Sequence, residues 1–196
     1  ADVSYLEAAS VFAFEALAAE LRHFGAPDAL VKRAKSAARD EVRHAKATAD
    51  LAARWGARVA EPVVARSADR SLFDLALENA VEGCVNETFG AALATFQAER
   101  AEDAGVRAVL ATIREDETRH AALAWDVAAW AESKLDAERV SELRRAQAAA
   151  IQNLRAGYGR SPEADLRAVA GLPDAKSSKV ILDGLERDLW NATAAA

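Results

Sequence analysis

Methionine is absent from this 196-residue chain, cysteine occurs once, and aromatic residues make up only 6% of it. The lone Cys84 excludes an internal disulfide framework. No apolar run approaches the roughly 20 residues of a membrane span. The net charge is −6, with acidic and basic residues interspersed, so the basic stripe that nucleic-acid binding requires is missing. The opening residues ADVSYLEAAS lack the basic and apolar regions of a signal peptide, which favours the cytoplasm as the compartment. The missing initiator methionine leads us to expect a processed or trimmed N-terminus. Prolines are confined to positions 27, 62, 162 and 173, and β-branched residues are sparse. What fills the chain instead is alanine, the best helix former, in a composition that is 52% hydrophobic. Together these features predict an all-α protein.

Helical periodicity and turn signals divide the chain. A first helix is expected over about 3–24, ending at Gly25-Ala26-Pro27. A second, capped by Asp28, should reach Trp55 and stop at Gly56. The irregular stretch GARVAEPVVARSADR is long enough to cross from one end of a bundle to the other. Ser71 or Asp69 would cap a third helix, running to about Arg100. A turn over 102–105 leads to a fourth, ending near Leu135. Two helical hairpins joined by one long crossover are expected, a topology that four-helix bundles of the ferritin type use. A fifth helix is expected over 136–158 and a last short one over 179–190, before a frayed ATAAA end. We read residues 1–196 as one domain, with a bundle core over 3–135 and a C-terminal helical extension over 136–196.

The chemistry lies in an echo. DEVRH at 40–44 recurs as DETRH at 116–120 and uses two of the three histidines. Residues three apart share a helix face, so Glu41 with His44, and Glu117 with His120, can each point at one centre. A dinuclear site in a bundle needs a further carboxylate from each of the other two helices. The first helix offers Glu7, Glu15 and Glu20; the third offers Glu78, Glu82 and Glu87. The two motifs are offset by 76 residues, Glu7 and Glu82 by 75, and Glu7 and Glu87 by 80. The repeat therefore selects Glu82, and the expected ligands are Glu7, Glu41, His44, Glu82, Glu117 and His120. Glu87 is left as an extra carboxylate near the metals, a partner to a ligand, or a surface residue. A metal-bound imidazole usually gives its second N–H to a carboxylate. Asp40 is therefore expected to orient His120, and Asp116 to orient His44, with Arg43 and Arg119 balancing the acids. The competing account is a set of solvated i,i+4 ion pairs, or an ion-paired core. The alanines around Glu41 and His44 argue for an interior face, where unpaired charges are costly.

Through Glu7, DEVRH, Glu82 and DETRH, in that order, residues 3–135 resemble the ferritin-like di-iron carboxylate superfamily. The paired Asp-Glu-x-Arg-His form is similar to that of bacterial multicomponent monooxygenases, the ribonucleotide reductase small subunit and acyl-carrier desaturases. EAASVFAFEALAAELRHFGAP with VEGCVNET looks like a bacterial group of ferritin-like domain proteins with no assigned activity. The resemblance implies two iron ions, with manganese or a mixed pair also accepted by this ligand set. It implies an oxidoreductase that activates dioxygen to oxidise a small organic substrate. An external electron donor and a homo-oligomer are allowed for. Iron oxidation and handling is the alternative expectation, and a structural protein with a vestigial site is the third.

Overall fold

The computed structural model describes residues 2–64 and 70–191. These residues form helices and no strand: α1 (Asp2–His23), α2 (Asp28–Arg54), α3 (Leu72–Glu78), α4 (Thr88–Arg100), α5 (Ala104–Glu132), α6 (Ala137–Gly157), α7 (Ala164–Ala170) and α8 (Ala175–Leu185). Two π-helical segments complete them, Asn79–Glu87 between α3 and α4, and Glu186–Trp190 after α8.

The first two helices end by the same device. Gly25 and Gly56 sit at positive φ, 74° and 73°, where a side chain would be strained. Beyond each glycine the chain folds back: Ala26 N–H donates to the Leu21 carbonyl at 2.8 Å, and Ala57 N–H to that of Ala52 at 3.1 Å. α1 and α2 thus form a tight antiparallel hairpin. Asp28 lies in the first turn of α2 rather than capping it; Pro27 is the capping residue and offers no side-chain bond. Its fixed φ and missing N–H suit the edge of a helix. At the other side of the crossover Ser71 caps α3 through a reciprocal capping box with Asp74. The alternative cap, Asp69, lies outside the described residues.

The expected third helix is one helical rod with an interruption. From Asn79 to Glu87 the rod widens to π-helical pairing, a register change often found at functional sites. Gly83 lies on its inner side, where a Cβ would meet the Cβ of Ala124 at 2.6 Å. That contact brings the π segment against α5 more closely than any other residue would allow, and Asn79 Nδ2 donates to the Ala124 carbonyl at 2.9 Å.

Apolar residues of α1, α2, α3 and α5 form one core cluster around Phe14, Leu21, Val31, Leu75 and Leu123. A second joins Val85 and Phe89 to Ile151, Leu182 and Trp190, so α6 and α8 cover the outer face of the π segment and α4. The Trp190 indole N–H donates to the carbonyl of Cys84 at 2.9 Å. Two details of this C-terminal region differ from the sequence reading. The last helix begins at Ala175, capped by Asp174, and not at Lys179. The seven-residue α7 was not expected; it is held by the α4–α5 turn, where Glu102 N–H reaches Ala168 and the Gln97 amide reaches Ala170. The ATAAA end falls beyond the described residues. No helix among those described is long and apolar enough to cross a membrane.

Candidate metal centre

α2 and α5 each carry an Asp-Glu-x-Arg-His motif in mid-helix, and the two helices face each other. Glu41, His44 and His120 are buried at 2% of their surface exposed. The imidazoles lie with ring centroids 6.0 Å apart. Between them sit carboxylates that reach both rings. Glu41 Oε1 is 3.0 Å from His120 Nδ1 and 3.6 Å from His44 Nδ1. Glu117 turns one oxygen to each ring, at 3.2 Å from His44 Nδ1 and 3.7 Å from His120 Nδ1. Glu7 of α1 approaches His44 Nδ1 at 3.5 Å. Two groups of convergent ligand atoms result: Glu7, Glu41, His44 and Glu117 in one, Glu87, Glu117 and His120 in the other.

The far side of each ring is held by an aspartate from the opposite helix. His44 Nε2 lies 2.9 Å from Asp116 Oδ2, and His120 Nε2 lies 3.4 Å from Asp40 Oδ2. A carboxylate can only accept, so each Nε2 carries the hydrogen and each Nδ1 is turned toward the carboxylates. Arg43 ties both aspartates together, at 2.7 Å from Asp40 and 3.0 Å from Asp116. Arg119 does the same from α5, in close contact with Asp116 and 3.7 Å from Asp40. Both guanidinium groups are more than half exposed, so they balance the buried acids from the solvent side.

The site departs from the sequence expectation at one residue. Glu82 joins neither ligand group; it is exposed, and the Asn86 amide donates to it at 2.9 Å. Glu87 takes the place on the third rod. The choice of Glu82 assumed that the third rod keeps the α-helical repeat. The π segment spends more residues per turn, so the level of the Glu/His cluster is reached one π turn later, at Glu87. The helix-interior glycine in VEGCVNE was the one sequence signal of this.

Burial pushes the Glu7 carboxyl up to about 7, and it pushes Glu87 well above the carboxylate range, helped by the charges of Glu117 and Glu41. For Glu117 burial acts in the same sense but is overcome by His120 and His44, which hold it at about 2. Burial likewise opposes a charged His44, yet Glu117, Glu41 and Glu7 raise it to about 12; His120 is raised to about 10 by Glu117 and Glu41 against the same opposition. Without a cation the pocket therefore holds its charge by borrowing protons.

The residues fit a pair of divalent cations. Four carboxylates converge with two imidazoles, a charge that two such ions neutralise. The buried Nδ1 atoms of His44 and His120 have no hydrogen-bond partner among the described residues, although carboxylate oxygens surround them. Unpaired buried polar atoms are rare, and a metal ion satisfies both of these at once. Compared with known proteins, no family model, no curated protein and no solved structure matches the chain.

Proposed function

We propose that this chain is a ferritin-like four-helix-bundle protein that holds two iron ions and uses dioxygen to oxidise a small organic substrate. The observation that carries the reading is the pair of buried, partnerless Nδ1 atoms facing four carboxylates, each ring oriented from behind by an aspartate. Glu7, Glu41, His44, Glu87, Glu117 and His120 would be the ligands. Glu41 and Glu117 each reach toward both rings. Iron held there would supply the electrons for reducing dioxygen. Asp116 and Asp40 keep the imidazoles in the tautomer that presents Nδ1 inward. Arg43 and Arg119 lower the cost of burying those aspartates. Phe14, Leu123 and the alanines of α2 keep bulk water from the centre. Manganese, alone or mixed with iron, satisfies the same donor set.

Iron handling is the second reading, and it draws on the carboxylates Glu20, Glu78 and Glu82 along one approach to the site. One experiment separates the two. Ferrous iron is added without air, its stoichiometry measured, and dioxygen then admitted with and without a chemical reductant. An oxidoreductase binds two ions per chain, retains them, and consumes dioxygen repeatedly while reductant lasts. Release of ferric iron after one turnover would favour iron handling. Binding of fewer than one ion per chain would refute the dinuclear site.

A further inference from the structure

Beside the centre lies a cavity of about 90 Å³, walled by α1, α3, the π segment and α5. Glu87 and His120 are among its lining residues; Glu20, Arg70 and Glu78, from three different parts of the chain, also line it and form an ion-pair cluster. Its apolar wall is made by Phe14, Leu17, Leu75 and Leu123. A cavity of this order takes a guest of only a few non-hydrogen atoms.

Among the described residues, glutamates are the commonest polar groups of the wall. Arg70 is the strong donor, but its Nη2 is committed to the Asp74 carbonyl at 3.1 Å, its Nη1 to Glu78, and its Nε faces Glu20 at 3.6 Å. Asn79 Nδ2 donates to the Ala124 carbonyl and to Cys84 Sγ, and its oxygen lies on the Gly83 side. Glu82 has one oxygen occupied by Asn86 and one free. Ser10 adds a hydroxyl that can act either way. Apart from Glu87 and His120, which belong to the candidate centre, three carboxylates (Glu20, Glu78 and Glu82) and one guanidinium line the cavity among the described residues. Burial raises the Glu20 carboxyl above its ordinary value, the sign of an anion short of solvent.

We infer that this cavity is a binding site for a small primary amine, its ammonium group received by Glu20 and Glu78 and its short apolar body lying between Leu17, Leu75 and Leu123. Among the described residues the acids of the wall outnumber its cations, and an ammonium supplies both hydrogen-bond donors and positive charge to them. The leucines and Phe14 favour an alkyl body over a hydrated metal ion, which would lose its water shell there. An anionic guest of the same size meets three like charges. The inference takes from the dinuclear reading only the idea that the guest is a substrate; the binding itself is independent of metal.

The test is calorimetric binding of n-butylamine, n-butanol and butyrate to the full chain, metal-free and loaded with zinc so that the central carboxylates are occupied. The amine is expected to bind at least about tenfold more tightly than the alcohol, as a charged hydrogen bond would provide, and butyrate should not bind. In the double variant Glu20→Gln/Glu78→Gln the amine should fall to the level of the alcohol, with alcohol binding kept. Arg70→Gln frees both glutamates and should tighten the amine by about threefold or more. Ala13→Trp, at an exposed position on the cavity rim, should abolish all binding, with circular dichroism checking the fold. Equal affinity for amine and alcohol, a preference for butyrate, or no binding by any probe would overturn the inference. So would loss of n-butylamine on adding manganese to His44→Ala/His120→Ala, which would make the acids a cation entry route. Failure of zinc to load, with amine selectivity intact in the metal-free chain, would count against the dinuclear reading alone.

Discussion

The two halves of the site share a motif almost letter for letter, yet they are not equivalent. Around His44 the ring is enclosed: Glu7, Glu41 and Glu117 all stand near Nδ1, and Asp116 grips Nε2 at 2.9 Å. Around His120 the grip of Asp40 is slacker, at 3.4 Å. That ring also lines two cavities, the one toward Glu20 and a second of about 180 Å³ between α2 and α5 beside Arg33 and Asp40. Sequence symmetry has given one closed half and one open half. The difference comes from what packs outside the repeat: α1 brings the Glu7 carboxylate to His44, but the Phe14 ring, at 4.9 Å between centroids, and the cavity beside the π segment to His120.

The largest expected effect tests the whole site. Replacing either histidine with alanine should reduce bound metal from two ions per chain to one or none, measured by elemental analysis after dialysis. Next is the contrast along the third rod. Glu87→Ala should lose one ion, the one on the open side, whereas Glu82→Ala should leave stoichiometry unchanged. Equal losses in the two variants would mean that Glu82 and Glu87 serve the centre alike. A subtler asymmetry concerns the aspartates. Asp116→Asn and Asp40→Asn should each weaken metal binding by about 10–100-fold, and the shorter contact predicts the larger loss for Asp116.

The charge state of the metal-free pocket gives a prediction with a definite sign. His44 and His120 are raised to about 12 and 10, so their stabilising effect is complete below the unfolded value of 6.5 and declines as pH rises toward those values. Glu7, raised to about 7, stabilises fully below 4.5 and less with each step up to 7. Glu117, held at about 2, contributes above 4.5 and is lost as pH falls through 2. The metal-free protein should thus become less stable between pH 5.5 and 8. Metal needs the same groups deprotonated, so the stabilisation it confers should grow over that range. Melting temperatures with and without zinc at pH 5.5, 7 and 8 would measure the widening gap; a gap independent of pH would contradict this account. The smallest effect is structural. Trp190→Phe removes the indole donor to the Cys84 carbonyl and should cost about 1–3 kcal/mol of stability, by chemical denaturation, with metal stoichiometry kept.

Much of this molecule was legible because local and global signals agree in it. α1, α2, α5 and α6 are long, alanine-rich and closed by glycine or capped by aspartate, so periodicity alone delimits them. The pairing of Asp40 and Asp116 with the opposite histidines follows once two motifs face each other at one level. What periodicity could not give was the change of period itself. Glu82 and Glu87 are both plausible carboxylates on an ordinary helix, and only the widened turn between Asn79 and Glu87 separates them. α7 escaped for a different reason. Seven residues cannot nucleate a helix alone, and its stability is supplied by partners some 70 residues away at Gln97 and Glu102.

The bond from Trp190 to the Cys84 carbonyl has an optical consequence. It anchors a chromophore, 3% exposed, to the segment that carries Glu87. Unwinding of that segment would bring the indole into a wetter setting and shift its emission to the red. In a chain stripped of its other tryptophans, at 55, 125 and 130, the colour of Trp190 would report the state of the open half without any added label.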